Sequence, residues 1–150
     1  MLDRQLLMFF DWAGETEQQY AKSGMIPERE IEEWEYPLWN QLIEETEILL
    51  RKMEKGKLTE EQLHGICVAI ALDHEREELL DFCKYELTEK SKIDFALYGR
   101  KSQQPQCRWQ IAALLETCNQ NPIAIEILRG LTRDSDIYVR KRAQNAITMI

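Results

Sequence analysis

The sequence predicts an all-α protein, and three observations support that fold class. Six glycines and four prolines in 150 residues are too few for the many tight turns of an all-β fold. Long stretches are instead rich in Glu, Gln, Leu, Ala, Lys and Arg, which favour helix. Apolar side chains recur in these stretches at helical spacing, and the chain is long enough to bury a core. We therefore expect packed helices.

The N-terminal part is expected to form short amphipathic helices. Residues 2–12 are predicted to be the first helix, and residues 15–23 continue helically until Gly24 interrupts the pattern. Pro27 suits the first turn of a next, short helix, because its missing N–H is not needed there. Pro37 then ends or bends that helix.

Three further helices are expected before the C-terminal third. The first covers residues 38–55 and has Gly56 in the position of a C-terminal cap. Thr59 and Gln62 have the spacing of a capping box, which predicts the start of the second helix. Asp73 is expected to begin the third, an acidic helix. Since no linker interrupts the pattern, the whole chain is predicted to be one domain.

The C-terminal third contains an internal repeat with an offset of 32 residues. Residues 104–118 align with residues 136–150, and the helical segments before them, 92–100 and 124–132, also correspond. The matched pairs are Cys107 with Val139, Arg108 with Arg140, Ile111 with Ala143, Leu114 with Ala146, Leu115 with Ile147, Ile93 with Ile125 and Phe95 with Ile127. A fixed period near this length is typical of stacked helical hairpins.

The repeated units resemble HEAT-like repeats. The residues that carry the resemblance are Pro122 at a helix start, the stripe Ile125, Leu128 and Leu131, the turn residues Asp134 and Asp136, and Val139, Arg140 and Ala143 in the second helix. The preceding unit keeps Arg108 but has Ser102 and Gln104 at the two turn positions. The resemblance implies a short α-solenoid, with two antiparallel hairpins in residues 88–150 and capping helices in residues 1–87.

The basic side chains of the repeats allow two interpretations. In HEAT-like repeats the turn aspartate commonly meets a helix arginine, so the resemblance implies that Arg108 and Arg140 form a structural ladder. Lys141 and Arg142 lack such a partner and are expected to face solvent. Alternatively, these four side chains form a basic face that binds an acidic peptide or nucleic acid.

The charge distribution favours a basic protein as partner. Residues 1–99 carry 23 acidic and 11 basic side chains, a net charge of −12, whereas residues 100–150 have a net charge of +4. Phosphates would meet a repulsive field over most of the surface, which argues against a nucleic-acid ligand. The same charge can serve solubility alone, so both interpretations stay open.

One stretch combines acidic and aromatic side chains, and a second acidic segment follows later in the chain. The candidate partner-binding residues are Glu28, Glu30, Glu32, Glu33, Trp34, Glu35 and Tyr36 in the first, with Asp73 and Glu77 in the second. Acidic groups attract a basic partner, and Trp and Tyr are favoured interface anchors. The aromatic residues can equally belong to the core, with the glutamates as a solvated face. The two segments form one patch only if the fold brings them together.

The sequence offers little for catalysis or cofactor binding. Glu61 and His64 share a helical face, but a di-iron site would require a second Glu-x-x-His motif, which does not occur. Cys67 follows His64 by three residues in an apolar run, where a thiol is inert. No phosphate-binding loop or dinucleotide fingerprint occurs. We therefore expect a protein that is not an enzyme and has no metal or cofactor.

The sequence predicts a cytoplasmic protein with no membrane partner. No apolar run reaches the roughly 18 residues that cross a bilayer, and the apolar stretch near the N-terminus is brief and flanked by acidic residues, unlike a signal peptide. The cysteines lack metal-site spacing and are expected to be reduced and buried. They are Cys67, Cys83, Cys107 and Cys118.

Small, acidic, helical proteins of this type are similar to bacterial immunity proteins, which block toxin domains. The resemblance is one of composition and type. It implies a non-catalytic protein that neutralises a basic toxin domain, such as a nuclease, through an acidic surface. Reversal of Glu30, Glu32 and Glu33 to lysine is then expected to slow association. The alternative is a scaffold or adaptor that binds an acidic peptide through the four basic side chains of the repeats.

Overall fold

The computed structural model describes residues 1–27 and 31–148. Within these residues the chain forms nine α-helices and no strand, which confirms the predicted all-α class. The helices are α1 (Leu2–Ala13), α2 (Glu17–Ser23), α3 (Trp39–Met53), α4 (Glu60–Leu72), α5 (Glu78–Glu86), α6 (Glu89–Gly99), α7 (Pro105–Leu115), α8 (Pro122–Leu131) and α9 (Ile137–Thr148). Two 3₁₀ turns, Glu33–Glu35 and Glu116–Cys118, lie between them.

The break between α1 and α2 is specified by two adjacent signals. Gly14 ends α1 in the left-handed region, with φ at 73°, and donates its N–H to the carbonyls of Phe10 and Asp11; glycine adopts this backbone without strain. Thr16 then opens α2, because its side chain accepts the N–H of Gln19 while the Gln19 side chain accepts the N–H of Thr16. This capping box was present in the sequence and divides the helical continuation that we predicted.

The predicted helix between Pro27 and Pro37 is wrong in its described part, which forms the 3₁₀ turn Glu33–Glu35 instead. The side chain of Glu35 accepts the backbone N–H of Glu32 at 2.6 Å and closes this turn on itself. This bond caps the beginning of the turn. The turn stops at Tyr36, whose ψ of 126° is not helical, because the following Pro37 disfavours a helical conformation at the residue before it.

The predicted helix start at Asp73 is also wrong. Asp73 follows the last residue of α4, and α5 begins at Glu78. The Asp73 Oδ2 atom accepts the backbone N–H of Leu79 at 2.8 Å. The aspartate therefore satisfies a free donor in the first turn of α5 from the preceding turn, instead of belonging to the helix.

Helices α4 and α7 occupy the centre of the molecule. Every residue from Gly65 to Leu72 in α4 is buried, and α7 is buried from Gln110 to Leu115. α4 packs against α1, α3, α6 and α7, whereas α7 packs against α4, α5, α6, α8 and α9. A helix that is apolar on all sides belongs in such a position. The amphipathic helices, α1, α3 and α8, lie around this pair and cover it.

The two C-terminal hairpins pack side by side. α6 with α7 forms one hairpin and α8 with α9 the other, and α6 contacts α8 while α7 contacts α9. Several matched positions of the repeat share burial, since Cys107 and Val139 are both fully buried and so is Ala143, the counterpart of the buried Ile111. Ile125 and Ile147 are only partly buried, unlike their counterparts Ile93 and Leu115. The packing is compatible with the helical repeat that the sequence predicted.

The 32-residue offset also relates the hydrogen bonds of the two hairpin turns. The Arg108 Nη1 atom donates to the Ser102 carbonyl at 2.6 Å, and the Arg140 Nη1 atom donates to the Asp134 carbonyl at 2.7 Å. The Ser102 hydroxyl and the Asp134 carboxylate each accept the backbone N–H two residues later. Serine in the earlier unit therefore preserves the turn that aspartate makes in the later one.

Arg108 links the two hairpins through Asp134. Its Nε and Nη2 atoms donate to the two carboxylate oxygens at 2.9 and 3.0 Å, and both side chains are mostly buried. Burial opposes ionisation of Asp134, but the hydrogen bonds from Arg108 outweigh it and lower the pKa of this carboxyl. The ladder contact that the resemblance implied is thus present for Arg108.

We expect Arg108→Ala to lower the free energy of unfolding by about 2 kcal/mol, because it leaves the Asp134 carboxylate without its charged donors. Since the folded-state pKa of Asp134 is depressed, the contribution is present above the unfolded-state pKa and is lost as the pH falls toward the folded-state value. Urea unfolding followed by circular dichroism measures it. Arg133→Ala, at an exposed position, is the matched control, and equal stabilities of the two variants would contradict the linking role.

Candidate binding surface

The first acidic segment predicted to bind a partner is partly folded into the protein. Glu33 is only 5% exposed and Tyr36 is buried. Trp34 is 41% exposed, and the guanidinium of Arg76 lies over its ring, 5.1 Å from the centroid. This cation–π contact joins the first acidic segment to the second.

The other glutamates of this segment are not assembled into a patch by the described residues. Glu32 and Glu35 bond to each other within the 3₁₀ turn. The predicted contact residues Glu28 and Glu30 lie outside the described residues. The described part of the segment therefore offers Trp34 and Glu35 as its exposed side chains.

Glu33 is the centre of a buried group of three side chains. Its Oε2 atom accepts the Tyr20 hydroxyl at 2.6 Å and contacts His74 Nε2 at 2.8 Å. Burial opposes ionisation of Glu33, but the hydrogen bonds from His74 and Tyr20 outweigh it and lower the pKa of the carboxyl. Burial, together with the charge of Glu33, raises the pKa of the Tyr20 hydroxyl. These bonds fix the 3₁₀ turn onto α2 and onto the turn after α4.

The second acidic segment is also engaged inside the protein. Asp73 is buried, its Oδ1 atom has no hydrogen-bond partner among the described residues, and burial raises the pKa of its carboxyl to about 7. Glu77 adopts a left-handed backbone, with φ at 53°, and its Oε2 atom accepts Arg142 Nη1 at 2.7 Å. The fold brings the two acidic segments together, as a patch requires, but it buries Glu33 and Asp73.

A different acidic surface lies between α1, the start of α2 and the first turns of α4. This surface, the acidic groove, has a volume of about 1070 Å³. Its lining carboxylates are Asp3, Asp11, Glu15, Glu17, Glu60 and Glu61. Leu6, Leu7, Phe10 and Gly65 contribute apolar surface, and no lysine or arginine lines the groove in the described part of the chain. A cation would meet carboxylates from three helices or their ends here.

Two of these carboxylates, Glu17 and Glu15, are constrained by neighbouring groups of the protein. Glu17 Oε2 contacts His64 Nε2 at 2.7 Å, which connects α2 to α4 across the groove. Burial, followed by the charge of Glu33, raises the pKa of Glu15, and the Glu15 Oε1 atom is buried without a hydrogen-bond partner among the described residues. A cation placed in the groove would stabilise the ionised form of Glu15.

Our sequence interpretation did not select the acidic groove, although part of its pattern is visible in the sequence. Asp3, Leu7 and Asp11 follow one another at intervals of four residues, which places them on one face of α1. Glu60 and Glu61 lie at the start of α4. Only the packing of α1 against α4 brings the two sets together.

The basic face that we considered as an alternative is largely used for internal bonds. Arg108 and Arg140 bond to the hairpin turns, and Arg142 bonds to Glu77. The expectation that Arg142 lacks a partner and faces solvent is therefore wrong, because its side chain is paired with Glu77 and is only 22% exposed. Lys141 is exposed and lines a shallow pocket of about 610 Å³ with Trp109, among other residues.

The histidine and the cysteines that we considered for catalysis or metal binding make contacts within the fold. His64 contacts Glu17 and is exposed. All four cysteines are free and buried, as predicted; burial raises the pKa of the Cys83 thiol to about 12. The described residues contain no group of three or more His, Cys, Asp or Glu side chains that could hold a metal ion. Within the same residues, no helix has the length and apolar character required to cross a membrane.

The fold and this surface define a class: an all-helical protein with two stacked C-terminal hairpins and an acidic groove at its N-terminal end. No protein-family model, curated protein or solved structure matches the chain.

Proposed function

We propose that this protein is a non-catalytic binding protein that captures a basic partner protein in the acidic groove. We further propose that the partner is a toxin domain, of nuclease type, and that the protein acts as its immunity protein. The observation that carries the proposal is the convergence of six carboxylates around one partly apolar groove. The chain's small size and acidity support the immunity role by their similarity to that class.

The negative charge of the groove has two effects, one on a basic partner and one on an acidic ligand. The carboxylates lie on the low-dielectric walls of the groove, where they raise the local concentration of a cationic protein surface and accelerate its association. The same groups oppose an acidic or nucleic-acid ligand, which the net charge of −12 in residues 1–99 also repels. A nuclease binds its substrate through a basic cleft, so an acidic surface that occupies this cleft blocks the substrate.

The alternative proposal is a scaffold that binds an acidic peptide, or nucleic acid, at the basic C-terminal end. One observation favours it: Lys141 lines a pocket together with the aromatic side chains of Trp109 and Tyr138. Three of the four basic side chains are engaged in internal bonds, however, and Glu75 and Glu77 line the same pocket. We therefore prefer the acidic groove.

The test is the rate at which the protein associates with a partner recovered from native lysate. Asp11→Lys combined with Glu61→Lys reverses two groove charges at exposed positions. We expect this double variant to slow association at low salt by about tenfold or more, and added salt to slow the wild-type protein. Stopped-flow fluorescence at several ionic strengths measures both effects.

A matched double variant controls for net charge. Glu44→Lys with Glu126→Lys makes the same change at exposed positions that do not line the groove, and we expect its association rate to stay within about threefold of wild type. A partner whose association rate is insensitive to salt and equal in the two double variants would contradict the proposal. If that partner instead binds the Lys141→Ala variant with lower affinity, the result would favour the alternative.

A further inference from the structure

We infer that the segment of the partner that binds here is an amphipathic basic helix, which packs on α1 with Leu7 enclosed between its side chains. This inference depends on the proposed function and specifies the form of its partner. The first observation is Leu7 itself, which is 75% exposed on a helix that otherwise buries its leucines. A lone exposed leucine needs no explanation, but Leu7 is not alone.

A second groove lies on the other side of Leu7. This apolar groove has a volume of about 420 Å³, and its lining residues are Leu7, Met8, Asp11, Trp12, Tyr36, Pro37 and Leu38. Leu7 and Asp11 line both grooves, so the exposed face of α1 is a ridge between them. Met8, beside Leu7, is also exposed. The ridge therefore separates an acidic depression from an apolar one.

Tyr36 contributes a buried aromatic side chain to the lining of the apolar groove. Its hydroxyl oxygen is itself buried, so it is not accessible to a polar group of a partner. With Leu7, Met8 and Trp12, Tyr36 makes this groove suited to apolar side chains of a partner.

The spacing along α1 suits a helical partner. Asp3 and Asp11 lie one helical turn before and after Leu7 on the same face. A helix that faces α1 can place four of its side chains around Leu7, as in knobs-into-holes packing. The neighbouring turns of that helix then lie over Asp3 and Asp11. The complementary sequence has apolar residues at helical spacing, flanked one turn away by lysine or arginine. Charge complementarity thus fixes both the sign and the placement of the partner's polar residues.

Two peptides of identical composition test the inference. Both contain about 18 residues of leucine and lysine; in one the leucines share a helical face, and in the other their order is scrambled. We expect the wild-type protein to bind the amphipathic peptide about tenfold more tightly than the scrambled one, since the scrambled peptide cannot bury leucines around Leu7. Fluorescence anisotropy of labelled peptides measures the affinities.

Leu7→Gln is expected to abolish the preference for the amphipathic peptide, and Ile123→Gln, at an exposed position on α8, to leave it unchanged. Thermal unfolding verifies that both variants are folded. Equal binding of the two peptides, or a preference that survives Leu7→Gln, overturns the helix inference. If the two peptides bind equally but the Asp11→Lys, Glu61→Lys variant binds both of them more weakly, the electrostatic proposal stands and only the helix inference fails. If that variant also has no effect on peptide binding, the acidic groove is not the binding surface and both proposals fail.

Discussion

Glu33→Ala is expected to lower the free energy of unfolding by about 4 kcal/mol, the largest stability effect that we predict. The substitution removes the acceptor shared by Tyr20 and His74 and leaves both without that partner inside the protein. Removing the acceptor of two buried hydrogen bonds is costly because the Tyr20 hydroxyl and the His74 ring nitrogen then stay desolvated without a partner. Against a typical domain stability of about 5–15 kcal/mol, such a loss is severe.

Two variants make this prediction specific. Glu33→Gln keeps an oxygen acceptor but not the charge, and we expect it to cost about 2 kcal/mol. Glu44→Ala, at an exposed position on α3, is the control and should change stability by less than about 0.5 kcal/mol. Urea unfolding monitored by circular dichroism gives all three values. A loss below about 1 kcal/mol for Glu33→Ala would mean that the buried group does not stabilise the fold.

The sign of the pH dependence follows from the lowered pKa of Glu33. Its contribution to stability is present above the unfolded-state pKa and is lost as the pH falls toward the folded-state value. The burial of Glu33 also changes the experiment that we inferred from the sequence. Reversal of Glu30, Glu32 and Glu33 to lysine would place a buried cation beside His74, so a slower association could report unfolding. Reversal at Asp11 and Glu61 avoids this problem.

Asp73 is expected to make stability fall as the pH rises from about 5 to about 8, by about 3 kcal/mol. Burial raises the pKa of its carboxyl to about 7, and the nearby charges of Glu77 and Glu78 act in the same direction. Between the unfolded-state and folded-state pKa values, the folded protein holds a proton that the unfolded chain has released. Stability is therefore lost through this interval and becomes constant above the folded-state pKa.

Asp73→Asn isolates this effect. The asparagine oxygen can still accept the N–H of Leu79, the contact that caps α5, but the side chain does not titrate. We expect the variant to match the wild-type protein at about pH 5 and to exceed its stability by about 3 kcal/mol at about pH 8. Parallel stability curves for the two proteins across this range would show that Asp73 does not titrate as expected.

The capacity for helix was determined by the sequence, because helix signals are local. The Thr59 capping box opens α4 as predicted, and Pro122 begins α8. The 32-residue offset relates positions that share burial, such as Cys107 and Val139, and it relates the two arginines that bond to the hairpin turns, since a repeated pattern of apolar and turn residues repeats its contacts. These features depend on neighbours within a few residues or within one repeat.

The tertiary structure alone decided which charged side chains are available for binding. Glu33 and Asp73 resemble solvated acidic residues in the sequence, but contacts with residues up to 41 positions away bury Glu33 beside Tyr20 and His74. The acidic groove likewise exists because α1 packs against α4, far along the chain. The free energy of a charge depends on its burial and its partners, and neither is encoded by local spacing.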